Sequence, residues 1–190
     1  MKSEIDFHPL VESVENALGL DEKLIGIDGL DGIGKTPLAN LLARRLNANV
    51  VSLDSYLVKN QNKYTDALNE QVNVDLLETK GVTIVEGVCL LAVAKRFGFE
   101  LDFLVYLKRT HNSMWADEDV CDLSGSAEET ISKEEDEVFI FKEWNSSNKN
   151  LEPPKREEVK LSGLRCELIH YHSKYQPHKF ANLVLEVEHA

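Results

Sequence analysis

The 190-residue chain is poor in cysteine and in positive charge. Its cysteines are Cys89, Cys121 and Cys166, an odd and scattered set with no CxxC spacing. That pattern argues against a disulfide framework and a cysteine-based zinc site, and it fits reduced thiols in a cytoplasmic protein. No uninterrupted apolar run is long enough to cross a bilayer, so no membrane partner is expected. Met1-Lys2-Ser3-Glu4-Ile5-Asp6 carries no apolar h-region, and no signal peptide is expected from it. Internal repeats are absent. Lysine and arginine number 21 against 33 aspartates and glutamates, a formal net charge of −12. Phosphate backbones repel such a surface, which argues against a nucleic-acid partner while leaving room for a small anion in a local pocket. The 43% hydrophobic and 28% charged residues fit an ordinary soluble globule, expected to be one domain over residues 1–190.

What is present is a phosphate-binding loop. Gly29-Leu30-Asp31-Gly32-Ile33-Gly34-Lys35-Thr36 matches GxxxxGK[ST]. Consecutive backbone N–H groups must point at phosphate oxygens, and glycines allow this without a Cβ clash. Lys35 is placed to reach the β- and γ-phosphates, and Thr36 to offer its hydroxyl to Mg²⁺. The flanks agree. Lys23 to Asp28 reads as a buried strand, and Leu38, Leu41, Leu42 and Leu46 recur at helical spacing. Pro37 is the exception. The N–H after the threonine normally faces the α-phosphate, and proline has none. Its ring is tolerable in a first helical turn, so the expected cost is one nucleotide hydrogen bond.

Along the chain, Pro9 to Leu20 predicts a leading helix. Asn49 to Asp54 and Gly81 to Gly87 predict strands with Asp54 and Glu86 at their carboxyl ends, and Ser55 to about Gln71 a polar loop. Val74–Glu78 and Val88–Phe97 predict helices, Leu101–Leu107 a fourth strand, Leu161–Tyr175 a helix and Leu183–Val187 the last strand. This alternation implies a parallel sheet, in which ligands sit beyond the carboxyl ends of the strands. Residues from 108 to about 160 lose the rhythm. Glu128, Glu129, Glu134, Glu135, Asp136 and Glu137 crowd together, and Val138, Phe139, Ile140, Phe141 and Trp144 follow as an apolar cluster. The segment reads as a solvated helical insertion with one buried face, or as a lid over the nucleotide. Glu152-Pro153-Pro154 marks a break.

Four pieces in this order resemble the uridine kinases and the related phosphoribulokinase-like P-loop kinases. They are Ile27 to Thr36; Val51-Ser52-Leu53-Asp54-Ser55-Tyr56; Ile84-Val85-Glu86-Gly87-Val88; and Tyr171 to Pro177 with Ala181-Asn182-Leu183-Val184. The resemblance implies an α/β fold with a five-stranded parallel sheet flanked by helices, in the nucleoside-monophosphate-kinase style. It implies ATP-dependent phosphorylation of a hydroxyl on a small metabolite, with Mg²⁺. Asp54 matches the acceptor-binding carboxylate and general base, Glu86 the carboxylate near Mg²⁺, and Lys35 and Thr36 the phosphate lysine and Mg²⁺ hydroxyl. The expected catalytic set is therefore Lys35, Asp54 and Glu86, the nucleotide loop runs from Gly29 through Pro37, and Thr36 and Glu86 serve the metal. By residue chemistry alone, Asp54 also suits a strand-end cap and Glu86 a salt bridge. Tyr56 suits packing or an acceptor wall, and Asp28 is assigned a structural role.

Three departures qualify the resemblance. The family's lid carries arginines soon after the fourth strand, whereas here Lys108 and Arg109 lead into Trp115-Ala116-Asp117-Glu118-Asp119. Lys155, Arg156 and Arg165 are the candidate replacements. The stretch from Asp54 to Glu86 is too short for a uridine kinase's acceptor-side insertion, and Pro37 removes a donor. A nucleotide-binding regulatory or degenerate protein with little phosphotransfer is the alternative reading. The acceptor is left unassigned, and a homodimer is left open.

Overall fold

A computed structural model describes residues 6–19, 23–58, 63–148, 152 and 154–188. The centre of the sheet is β1 (Leu24–Gly29), buried at every position after its first. It pairs in parallel with β3 (Thr83–Glu86) on one side and β4 (Phe103–His111) on the other. Beyond β3 lies β2 (Asn49–Ser52), and beyond β4 lies β6 (Leu183–Glu188), both parallel. The expected five-stranded parallel sheet is thus present. A two-residue strand, β5 (Met114–Trp115), adds an antiparallel turn-back on the protruding end of β4.

Each face of the sheet has its own core. Ile25 and Ile27 pack with Ile84, Val105, Leu38 and Leu42 beneath α1 (His8–Ala17) and α2 (Lys35–Leu46). Leu38, Ala39 and Leu42 give α2 its buried stripe, and Arg44 and Arg45 sit in its last turn, where the helix dipole favours cations. The opposite core gathers Leu53, Val85, Leu90, Val93, Leu104 and Tyr171. It is covered by α4 (Gln71–Glu78), α5 (Leu90–Phe97) and α8 (Gly163–Tyr175).

Three local readings change. Asn49–Asp54 was expected to be strand throughout, but β2 stops at Ser52 and Asp54 stands in a 3₁₀ turn, Leu53–Tyr56. The polar loop after it holds a short helix, α3 (Tyr64–Ala67). The fourth strand runs four residues further than expected, because β6 pairs with it as far as Thr110. Of the break at Glu152-Pro153-Pro154, Pro153 lies outside the described residues, as does Leu20 of the leading helix.

The insertion contains α6 (Glu118–Cys121) and the 22-residue α7 (Ala127–Asn148). Ser126 and Glu129 form a reciprocal capping box at the start of α7, each side chain accepting the other's backbone N–H. The expected buried face is present in part, with Ile131, Val138 and Phe139 half-buried on the side of Ala127 and Glu135. Ala127 and Glu135 are its buried residues, whereas Ile140, Phe141 and Trp144 are 61–63% exposed. The helix packs on α8 through Ala127 and Ile131, and Ile140, Phe141 and Trp144 fall on the half further along the helix. No helix among the described residues is long and apolar enough to cross a membrane.

Candidate functional site

The loop from Gly29 to Thr36 joins the end of β1 to the start of α2, the strand–loop–helix that a P-loop requires. Gly34 caps α2 at φ 103°, a left-handed conformation that a side chain resists. A Cβ there would also meet the Phe7 ring at 2.4 Å, so the N-terminal segment braces the loop from behind. Lys35 is buried, and its Nζ donates to the carbonyls of Gly29 (3.1 Å) and Leu30 (2.8 Å). Burial lowers its pKa, opposed by the negative charges of Asp28, Glu86, Asp31 and Asp54.

Glu86 ends β3, buried to 2% exposure, and its Oε1 accepts the Thr36 hydroxyl at 3.0 Å. The adjacent Gly87 has no room for a side chain: a Cβ would lie 2.7 Å from Leu53 and 3.0 Å from the Tyr64 hydroxyl. Asp54 is exposed, and its Oδ1 accepts the Tyr64 hydroxyl at 2.7 Å. Burial and the Asp54 charge raise the Tyr64 phenol pKa, so Tyr64 remains a donor. The backbone of α3 is held in turn by Glu167 of α8, which accepts from the N–H groups of Tyr64 and Thr65 and from Thr65 Oγ1. Tyr56 is tied to Asp75, its hydroxyl donating at 2.5 Å.

Asp28 lies under the loop. Its carboxylate accepts the Gly29 N–H at 2.7 Å and the Tyr171 hydroxyl of α8. Burial pushes its pKa up to about 6, against the pull of Tyr171, Gly29 N–H and Lys35.

Two of the three candidate lid cations are engaged by acids of the insertion. Arg165 holds Glu134 in a bidentate pair at 2.9 and 2.6 Å. Arg156 binds Asp136 and stands 3.8 Å from Glu135, which also takes Lys160. No ion pair of Lys155 occurs among the described residues. Arg109, near the end of β4, donates to the Asp31 carbonyl of the loop at 2.9 Å and lies 3.6 Å from Asp117. A cavity of about 200 Å³ separates the loop from α8, with Asp31, Arg109, Asp117 and Arg165 in its walls.

The fold therefore brings Lys35, Thr36, Glu86 and Asp54 to one end of the sheet, beyond the carboxyl ends of β1, β2 and β3. Pro37 is exposed in the first turn of α2. Sequence reading missed Tyr64, Glu167 and Arg109. Nothing in the polar stretch around Tyr64 marks it, and Glu167 reads as one more acid on an amphipathic helix. Arg109 was visible only as a cation after a strand.

The donor chemistry also fits a hard divalent cation. Thr36 and Glu86 offer two oxygens side by side, and Mg²⁺ in phosphate sites takes few protein ligands beside phosphate and water oxygens. No group of three or more His, Cys, Asp and Glu side chains able to hold a metal occurs among the described residues.

No family model matches the chain. A curated relative, the tRNA dimethylallyltransferase of Campylobacter lari, is 39% identical over 80 residues, which is 42% of this chain and 25% of that protein. The chain thus spans a quarter of that relative's length. Among solved structures, a uridine kinase candidate from Bacillus stearothermophilus is similar at 16% identity and a TM-score of 0.47, covering 93% of this chain and 95% of its own. A fructose transport system kinase candidate from Silicibacter sp. TM1040 is similar at 14% identity and a TM-score of 0.45, covering 96% of this chain and all of its own.

Proposed function

We propose that the chain is an ATP-dependent phosphotransferase acting on a hydroxyl of a small metabolite. The observation that carries this reading is the Thr36–Glu86 pair at 3.0 Å beside a P-loop lysine, with the exposed carboxylate of Asp54 at the neighbouring strand end. Phosphoryl transfer asks little covalent chemistry of a protein. It asks for phosphates held still, negative charge neutralised and an attacking hydroxyl in line.

In this reading the N–H groups of Gly29 to Thr36 and the Lys35 ammonium hold the β- and γ-phosphates. Mg²⁺, when bound, neutralises phosphate charge next to Thr36 and Glu86. Asp54 orients the acceptor hydroxyl and takes its proton as the acceptor oxygen bonds to the γ-phosphorus. The bond from that phosphorus to the β–γ bridging oxygen breaks, and ADP leaves. Tyr64 fixes the carboxylate from behind. The insertion over residues 108–160 closes the nucleotide side as a lid, and the whole chain works as one domain.

A regulatory nucleotide-binding protein with little turnover is the second reading. Pro37 favours it, and so does the acidic insertion, whose Glu134 and Asp136 engage Arg165 and Arg156.

An ADP-release screen of the purified protein across nucleosides, sugars and vitamin precursors separates the two. ADP formation that needs one acceptor supports the kinase. ATP binding with no acceptor-dependent ADP favours the regulator. Dimethylallyl transfer to tRNA, the activity in the relative's name, forms no ADP and is tested separately by diphosphate release from dimethylallyl diphosphate, although a chain of net charge −12 is poorly suited to a tRNA acceptor.

A further inference from the structure

We propose that the large cavity between α8 and the α3–α5 side of the molecule binds a small organic anion through Lys63 and Lys174. On the kinase reading above, on which this rests, that anion is the phosphoryl acceptor. The cavity has a volume of about 580 Å³, within the range that holds a metabolite. Thr65 of α3, Cys89 and Ala92 at the start of α5, and Tyr171 and Tyr175 of α8 line it, along with both lysines. Lys35, Asp54 and Glu86 do not line it; two of its walls lead to the proposed chemistry. Thr65 follows Tyr64, whose hydroxyl holds Asp54, and Tyr171 reaches Asp28 under the loop.

Charge gives the ligand its class. Glu167 is the one acid among the described lining residues; it accepts from neutral donors, keeps its negative charge and acts electrostatically on Cys89 in the same wall. Its oxygens accept from Tyr64 N–H, from Thr65 N–H at 3.0 Å and from Thr65 Oγ1 at 2.5 Å. Lys63 and Lys174 make no ion pair among the described residues, and Lys174 rests over the Tyr175 ring at 5.4 Å. His170, also in the wall, stands 4.0 Å from Glu128. Two lysines against one carboxylate leave a balance of +1 on the lining, in a protein whose net charge is −12. The floor of aromatic rings, alanine and thiols suits an apolar or planar body. The ligand is therefore a carboxylate or phosphate ester with a compact apolar part and, as an acceptor, a free hydroxyl.

Cys166 lines the same cavity and reports its charge without any turnover. Its modification rate is measured with the dianion 5,5′-dithiobis(2-nitrobenzoate) and with neutral 4,4′-dithiodipyridine, and Cys166→Ser identifies its signal. The ratio of the two rates cancels the thiol's own reactivity. Lys63→Gln combined with Lys174→Gln is expected to lower the anionic-to-neutral ratio by about fivefold at low salt, with the difference vanishing in 1 M salt. A ratio unmoved by the double substitution overturns the proposal. A second arm compares hydroxy-carboxylates and phosphorylated alcohols with neutral nucleosides and polyols as acceptors. The acceptor KM is expected to rise about tenfold in the double variant while the ATP KM holds. A neutral acceptor whose KM ignores both lysines overturns the proposal and leaves the kinase standing. An intact charge preference and ATP binding with no ADP from any acceptor leaves the anion site standing and removes the kinase.

Discussion

The Tyr64 hydroxyl donates to Oδ1 of Asp54 across 2.7 Å, so the carboxylate after β2 is aimed by a helix ten residues downstream. Because Glu167 of α8 grips the backbone of that helix, the orientation of Asp54 depends on a segment over 100 residues away in sequence. If Asp54 is the base, Asp54→Asn keeps the shape and removes the charge, and kcat should fall by about two orders of magnitude or more with ATP affinity unchanged. Tyr64→Phe keeps the ring and frees the carboxylate, with an expected loss of about tenfold, the worth of one hydrogen bond to a charged group. Steady-state kinetics on an identified acceptor checks both. Full activity of Asp54→Asn removes the general-base role.

The loop lysine gives a prediction that needs no acceptor. Saturating ATP should raise the thermal midpoint of the wild type, since a ligand at about 100 times its Kd adds about 2.7 kcal/mol. Lys35→Ala should abolish that rise. Lys35→Met, which refills the volume of a side chain only 7% exposed, should also abolish it while melting close to the wild type without nucleotide. Equal stabilisation of wild type and both variants by ATP would sink the P-loop reading.

How far the sequence carried is clearest at β1 and α2. There the apolar run, the glycines and the 3.6-residue stripe all point one way, and loop, strand and helix fall where the pattern puts them. Glu86 was legible for the same reason, as the end of a short apolar strand. Asp54 was legible as a carboxylate but not in its setting, because a turn after a strand has no periodicity to mark where pairing stops. The Tyr64–Asp54 and Tyr171–Asp28 contacts were illegible, since contacts across 10 and 143 positions leave no local trace. The insertion misled in the opposite way. Val138 to Trp144 has the composition of a core, yet Val138 and Phe139 are half-buried and Ile140, Phe141 and Trp144 exposed, and composition does not say which.

Metal dependence should pass through Glu86. It is buried, and its Oε1 accepts from Thr36. Glu86→Gln keeps the volume and removes a negative charge from beside the phosphates. Wild-type ATP affinity should weaken when EDTA removes Mg²⁺, whereas the variant should bind with nearly the same affinity in both conditions. Calorimetry with and without EDTA measures it. Wild-type affinity indifferent to EDTA counts against the metal site.

Two buried groups on neighbouring elements contribute to stability with opposite pH slopes in acid. Folding pushes the Asp28 pKa up from 3.8 to about 6, so the folded state binds the extra proton. This contribution to stability falls by about 3 kcal/mol as pH rises through that interval. His172 has the opposite sign. Its Nδ1–H donates to the Leu168 carbonyl and its Nε2 accepts from Tyr106 at 3.0 Å. Burial pulls its pKa down from 6.5 to about 4, so its contribution is complete above pH 6.5 and is lost as pH falls toward 4. Between pH 4 and 6 the slopes oppose each other. Asp28→Asn should leave a protein that gains stability with rising pH over this range, and His172→Gln one that loses it. Urea denaturation midpoints at pH 4, 5, 6 and 7 test the pair, and parallel profiles for the two variants would refute the assignment.

Pro37 gives the prediction most particular to this chain. It stands third in α2, exposed, where a P-loop helix would aim an N–H at the α-phosphate. A missing hydrogen bond to a charged group costs on the order of 1.5–3 kcal/mol when nothing replaces it, while the dipole of α2 still favours the anion. Binding should therefore survive at reduced strength. Pro37→Ala restores the N–H alone, and Pro37→Ser adds a hydroxyl. Pro37→Ser should tighten both ADP and ATP by roughly tenfold, since 1.4 kcal/mol is a factor of ten. The gain should be equal for the two nucleotides because both carry the α-phosphate. A Pro37→Ala gain matching that of Pro37→Ser would place the effect in the backbone donor. Losing proline also loosens the unfolded chain and costs roughly 0.4–1 kcal/mol of stability, so the dissociation constants are measured by calorimetry rather than inferred from melting. If neither substitution changes either constant, the α-phosphate is already satisfied by another donor or the nucleotide does not lie along the first turn of α2.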